Sequence, residues 1–288
     1  MSLFDQAFRP VGSTRRDPML VALWIGLILL ALVWVTPFVF IVFTSLKTNA
    51  SVMGSSAFAP PHEFAWQNYT KAWARGNFST TAFNGAVISA IKVPLGLFLS
   101  AMAAYALARI SLPGRKLAFV AIVFGTMIPF QVMLAPIFRQ VNAFGLINTY
   151  PGIILPYLAF GVPYQVFILH GFFSAVPKEL SEAARIDGAG HFTIFRRIFL
   201  PISLPVLSAL FILDFVATWN EFAMALVILQ DKDHWTLPLG MMNFQSQFQS
   251  DYGQLNAAIV MTVLPAAIIY LMFQRYFIAG LTTGAVKE

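Results

Sequence analysis

One run of residues constrains this chain more than any other: Pro18 to Ser45, twenty-eight residues with no Asp, Glu, Lys or Arg. About 20 apolar residues in helical conformation cross the ~30 Å hydrocarbon core of a bilayer. The run is too long for the core of a signal peptide, and no small-residue cleavage site follows it. It reads as an uncleaved first transmembrane helix, kinked near Pro37, where proline removes a backbone donor. Further apolar runs follow at about 83–107, 117–138, 150–173, 198–229 and 254–277, which makes six crossings. Lipid cannot satisfy a free peptide group, so spanning segments of this length must be helices. The expected fold class is an all-α polytopic membrane protein with six transmembrane helices. Prolines within the runs, among them Pro94, Pro136, Pro156, Pro163 and Pro265, predict a kinked bundle around a polar cavity.

Composition agrees: of 288 residues 58% are hydrophobic and only 10% charged, against roughly a quarter charged in an ordinary soluble domain. The pI near 9.7 could suggest nucleic acid, but the basic residues are spread along the chain, and membrane topology accounts for them. There are no cysteines, hence no disulfide framework and no thiolate metal site. With the N-terminus inside, Arg9, Arg15, Arg16, Arg109, Arg115, Lys116, Lys178, Arg185, Arg196, Arg197, Arg275 and Lys287 fall on the cytoplasmic side. Only Lys47, Lys71, Arg75, Arg139 and Lys232 fall outside. This asymmetry predicts cytoplasmic termini. The organisation expected is a cytoplasmic segment 1–17, a transmembrane domain 18–277 with a cytoplasmic loop 174–197, and a cytoplasmic tail 278–288.

That loop is the most charged stretch of the chain. Pro177 suits the first position of a helix, Glu179 and Glu182 favour its positive N-terminal end, and Gly188 supplies a left-handed stop. Leu180, Ala183, Ala184 and Asp187 share one narrow face with little side chain beyond Cβ, so a partner could approach closely. Beyond the break, Phe192, Phe195 and Phe199 with Arg196 and Arg197 read as a helix lying at the membrane surface. On spacing alone, a plain loop with two short surface helices is an equal reading.

The residues themselves carry a resemblance. Glu182, Ala183, Ala184, Asp187 and Gly188, with Ile198, Leu200 and Pro201 further on, match the cytoplasmic "EAA" loop of permease subunits of bacterial ABC importers. The chain resembles the maltose-type carbohydrate branch of that family, a type I importer permease. Asn68-Tyr-Thr-Lys-Ala-Trp73 is similar to an external loop of the sugar permeases. The tail, with Gly280, Leu281, Thr282, Gly284, Ala285, Val286 and Lys287, resembles the ending that reaches between two ATPase subunits. The loop of about 230–253 resembles the external loop that meets the solute-binding protein. The resemblance implies that Glu182, Ala183, Ala184, Asp187 and Gly188 dock a coupling helix on an ATPase. It also implies a second homologous permease subunit, two ATPase subunits binding Mg-ATP, an external solute-binding protein and a carbohydrate substrate. The location it implies is the bacterial inner membrane.

Enzymatic chemistry is not legible. The chain has no G-x-x-x-x-G-K-[ST] run, and Gly114-Arg-Lys116, the nearest approach, lacks the loop. No cofactor is expected in this chain, no nucleophile–base set is evident, and His62, His170, His191 and His234 are scattered. Ionisable groups inside apolar runs are expensive and are functional hypotheses by default. Lys92, Asp214 and Glu221 qualify. Lys92 lies 17 residues before Arg109 and Asp214 lies 17 after Arg197, roughly 25 Å from a cytoplasmic charge in each case at ~1.5 Å per residue. They are candidates for an intramembrane ion pair. Asp214, Thr218 and Glu221 share a helical face beside Trp219 and Asn220. Asp214, Trp219, Asn220 and Glu221 are therefore a candidate translocation path, with helix-to-helix glue the competing reading. Asp214 departs from the family pattern. The alternative function is a secondary transporter using Lys92, Asp214 and Glu221 as an ion relay.

Overall fold

The computed structural model describes residues 18–56, 58–244 and 251–285. Among these residues all regular structure is helical. The helices are α1 (Pro18–Ser45), α2 (Asn49–Gly54), α3 (Gln67–Arg75), α4 (Phe78–Arg109), α5 (Arg115–Phe124), α6 (Phe130–Ala143), α7 (Tyr150–Ala175), α8 (Glu179–Ile186), α9 (His191–Ile194), α10 (Leu200–Ile202), α11 (Leu204–Trp219), α12 (Ala223–Ile228), α13 (Leu237–Gly240) and α14 (Tyr252–Ala285). Four of them, α1, α4, α7 and α14, are long and apolar enough to cross a membrane. Two broken pairs raise the number to six if each counts as one span: Arg115–Met127 with Phe130–Ala143, bent by 100°, and His191–Ile202 with Leu204–Trp219, bent by 74°.

Both breaks have a local cause. Ile128 stands before Pro129 and is extended (φ −79°, ψ 120°), because the proline ring excludes its predecessor from helical conformation. The helix restarts at Phe130. In the second pair Pro201 and Pro205 stand four residues apart; Pro205 has no N–H to give the Pro201 carbonyl, so the helical ladder cannot run through. Helix α11 stops at Trp219 and α12 is separate, so the apolar run of 198–229 is not one rod.

The chain divides into two compact units, 1–70 with 251–260, and 71–250 with 261–288. In the first, Asn68 ties down the end of α1: its Nδ2 donates to the carbonyl of Ser45 (2.9 Å), which the helix end leaves unsatisfied, and to that of Lys47 (2.8 Å) in the turn beyond. Gly253 lies so close that an added Cβ would sit 2.6 Å from both Asn68 Nδ2 and Lys47 O. Asn68, in the stretch similar to the permeases' external loop, is thus a local clasp.

The second unit is built on α4 packed against α7 and α11. Val93, Leu97, Ala101, Ala104 and Tyr105 of α4 bury against Val166, Leu169 and Phe173 of α7, with Leu210 of α11 closing the cluster. Small residues let backbones approach where lipid gives no hydrophobic drive between helices. Ser100 Oγ donates to Gln165 Oε1 at 2.8 Å and ties α4 to α7.

Candidate functional site

The loop after α7 folds as its sequence dictates. Helix α8 opens at Glu179 with Lys178 as its N-cap, so Pro177 precedes the helix instead of occupying its first position. At the other end Gly188 adopts φ +79°, its N–H donates to Arg185 O (3.0 Å), and Ala189 N donates to Ala184 O (2.9 Å). This pair of bonds around a left-handed glycine is a Schellman stop, and it satisfies carbonyls that the helix end would otherwise orphan. Glu182, Ala183, Asp187 and Gly188 are exposed. Ala184 is half-buried against the core of the second unit. Ile186, which nothing in the sequence pattern singles out, is 87% exposed and Leu180 is 43% exposed. Two aliphatic side chains thus stand uncovered on an eight-residue helix.

The aromatic stripe beyond the glycine does not present one outward face, contrary to the expectation for Phe192, Phe195 and Phe199. Residues Phe195–Phe199 form a π-helical turn, and Phe195 and Phe199 are buried. A π-turn carries more than four residues per turn, so it rotates the stripe away from the 3.6-residue register the sequence suggests. Tyr105 of α4 takes Phe195 at 5.3 Å and Phe199 at 5.0 Å, and Phe173 of α7 meets Phe199 at 5.5 Å. Only Phe192 points outward, 62% exposed. Arg109, the last residue of α4, lies 5.0 Å over the Phe199 ring and donates to the carbonyls of Phe173 (Nε, 2.9 Å) and Val176. The exposed helix is therefore bolted to the long helices by a close-packed aromatic and guanidinium joint, and close-packed interiors transmit displacement.

Deep within the second unit, the structure brings Lys92 and Asp214 together. Lys92 Nζ pairs with Asp214 Oδ1, with 5% and 10% of the two side chains exposed, and it also donates to Thr218 Oγ1 at 3.2 Å. Thr218 in turn donates to Asp214 O at 2.7 Å. Helix α7 accommodates the pair at Gly161, where an added Cβ would stand 3.0 Å from Lys92 Nζ. Glu221 is fully engaged: it accepts from the Tyr157 hydroxyl and from the amides of Met224 (2.8 Å) and Ala225 (3.1 Å) that open α12.

A cavity of about 380 Å³ opens on these groups, lined among others by Lys92, Tyr157, Tyr164, Gln165, Asp214 and Glu221. Trp219 and Asn220 do not line it. Trp219 is 6% exposed, donates from Nε1 to Thr262 O (3.1 Å) and packs on Gly85; Asn220 donates back to Val216 O of its own helix (3.0 Å). Aromatic rings reach the cavity instead from Phe130, Phe160, Tyr157 and Tyr164. Sequence reasoning missed Tyr157 and Gln165, although Gln165 is the only side-chain amide in the whole of α7. Two buried polar atoms of residues lining this cavity, Asp214 Oδ2 and Gln165 Nε2, have no hydrogen-bond partner among the described residues. Of the tail residues, Gly284 and Ala285 continue helix α14, whereas Val286 and Lys287 lie outside the described residues, as does the segment 1–17.

No group of three or more His, Cys, Asp or Glu among the described residues could hold a metal ion. Membrane-length helices, an exposed charged helix on a fixed joint and a cavity with polar lining between helices are the features that the fold sets beside the comparisons. Residues 93–282 match the family model described as "Binding-protein-dependent transport system inner membrane component", and the chain belongs to that family. It is a multi-pass inner-membrane permease. The diacetylchitobiose uptake system permease protein of Streptomyces coelicolor is 35% identical over 263 residues, 91% of this chain and 87% of that one. The trehalose transport system permease protein of Mycobacterium tuberculosis is 34% identical over 91% of this chain and 94% of its own length. Among solved structures, a bacterial ABC transporter involved in import of the acidic polysaccharide alginate superposes with a TM-score of 0.80 at 22% identity. That match covers 93% of this chain and all of the other, and it bears on the fold alone.

Proposed function

We propose that this chain is one of two homologous permease subunits of an ATP-driven importer of a sugar or sugar-like solute, fed by an external solute-binding protein. ATP hydrolysis belongs to two separate ATPase subunits binding Mg-ATP, and this chain is not itself an enzyme. Helix α8, through Glu182, Ala183, Ala184, Asp187 and Gly188, is the coupling helix that those ATPases grip, and Gly284, Ala285, Val286 and Lys287 extend the same contact. The observation that carries this reading is the exposed, Schellman-terminated α8 held by the joint of Arg109, Tyr105, Phe195 and Phe199. Movement imposed on α8 passes through that joint into α4 and α7, which carry Lys92, Tyr157 and Gln165.

The carbohydrate class is supported by the names of the relatives and by the chemistry of the inner cavity. A sugar's hydroxyls require hydrogen-bonding partners and its C–H faces stack on rings. Asp214 and Gln165 line the cavity beside Phe160 and Tyr164, and among the described residues Asp214 Oδ2 and Gln165 Nε2 have no hydrogen-bond partner. Within the proposed translocation path, Asp214 and Glu221 border the cavity, whereas Trp219 and Asn220 support the helix that carries them.

The test is co-purification of the tagged chain, expressed with its neighbouring genes, followed by ATPase assay with binding protein and candidate sugars. Recovery of an ATPase whose turnover rises with one loaded binding protein is the expected result. Recovery of the chain alone, transporting in liposomes without ATP, would refute the proposal.

A further inference from the structure

Two adjoining cavities lie at the end of the second unit that carries α8. The first, about 330 Å³, is lined by Arg109, Arg115, Lys178, Arg185 and His191, with Glu182 its only carboxylate. Ser181 also lines it; this serine is 8% exposed and its buried hydroxyl has no partner among the described residues. Arg109 is held in place by the carbonyls of Phe173 and Val176, and none of the other cations forms an ion pair among the described residues. Four permanent positive charges around one carboxylate leave a net positive field in the cavity that attracts an anion. The second cavity, about 380 Å³, shares Ala108 and Arg115 with the first and continues along Leu107, Phe119 and Val120, with Lys116, His170 and Ser174 at its polar edge.

The depth of these groups selects the anion. Arg109 ends α4, Arg115 begins α5, and Lys178 follows the end of α7 by three residues. These are the ends of the membrane-length helices α4 and α7 and the start of the first bent pair, where spanning segments leave the hydrocarbon at the level of lipid headgroups. A basic pocket between helices at that level is built for a phosphodiester, and the apolar side of the adjoining groove, Leu107, Phe119 and Val120, suits an acyl chain. A free phosphate would have no use for the groove. We propose that the paired cavities bind one anionic phospholipid, its phosphate among Arg115, Lys178, Arg185 and the Ser181 hydroxyl and its chain along Phe119 and Val120. Because Ser181 and Arg185 belong to α8, the bound lipid braces the coupling helix against α4 and α5 and makes ATPase coupling depend on anionic lipid. The coupling effect rests on the function proposed above; lipid retention does not.

The experiment uses the complete complex purified in mild detergent, with phosphatidylglycerol retained through purification counted by native mass spectrometry. Solute-stimulated ATPase is then measured in nanodiscs of phosphatidylcholine with or without phosphatidylglycerol. Wild type should keep phosphatidylglycerol and show higher stimulated ATPase when it is present. Arg115→Gln/Lys178→Gln should weaken retention, about fivefold per removed charge at the surface, and lose the lipid response. The charge-conserving Arg115→Lys/Lys178→Arg should restore both, which separates lost lipid from lost folding. Arg196→Gln/Arg197→Gln removes two exposed charges from the neighbouring turn and should leave retention unchanged. Equal loss in that control would overturn the site in favour of diffuse surface charge. Displacement of the lipid by inorganic phosphate alone would assign the pocket to a soluble anion and overturn the lipid reading. Normal retention with loss of the ATPase subunits in the Gln pair would assign these cations to the protein partner and overturn it too. Retention that behaves as expected with no effect on ATPase would keep the lipid site and remove only its coupling role.

Discussion

The exposed end of the second unit and its buried middle treat charge in opposite ways. At the end, Arg115, Lys178, Glu182, Arg185 and Asp187 are exposed and carry no ion pair among the described residues. In the middle, Lys92 and Asp214 are buried against each other and Glu221 engages both oxygens with Tyr157 and the start of α12. Water solvates a lone charge at no penalty, so outer charges are free for partners. Inside, an unpaired ion costs several kcal/mol, so the inner ones must first serve the fold. Position, more than residue type, separates charges left open to partners from charges the fold itself uses.

The largest effects should therefore come from the middle. Lys92→Met strands Asp214 and should lower stability by about 3 kcal/mol, read as loss of folded protein on heating in detergent. Lys92→Met/Asp214→Leu removes both charges and should recover most of that loss. If the double variant folds but its complex no longer transports, the pair acts in transport as well as packing, and the comparison sharpens; if the single variant is as stable as wild type, the comparison breaks. Tyr157→Phe takes one donor from Glu221 and should cost about 1–2 kcal/mol by the same assay. At the outer end, Ile186→Ser should change stability by less than about 0.5 kcal/mol, as exposed substitutions do, yet reduce the ATPase recovered with the tagged complex. A large stability loss there would mean that Ile186 is packed and not offered to a partner.

Legibility follows the same division. The stop at Gly188 is readable because a helix cap is local: the glycine and the end of the charged helix lie within a few residues of each other. The meeting of Lys92 and Asp214 is readable from helical rise, because each stands the same number of residues from a flanking charge. What cannot be read is which way an apolar residue faces. In a soluble helix, polar and apolar sides mark outside and inside; in lipid both sides are apolar, so Trp219 and Phe199 carry no sign of their direction. The π-turn at Phe195–Phe199 and the break at Ile128–Pro129 then shift register and course. Gln165 and Tyr157 are visible as polar groups in an apolar helix, but only folding shows which neighbour each one meets.

The most direct measurement of the docking role is the solute-stimulated ATPase of the assembled complex carrying Gly188→Phe. At φ +79° a side chain costs about 1–2 kcal/mol locally, too little to unfold the bundle but enough to displace the end of α8. The variant is expected to accumulate in the membrane like wild type, while loaded binding protein no longer raises ATP turnover or the ATPase subunits no longer co-purify. Normal sugar-dependent ATPase in that variant would contradict the docking role of α8.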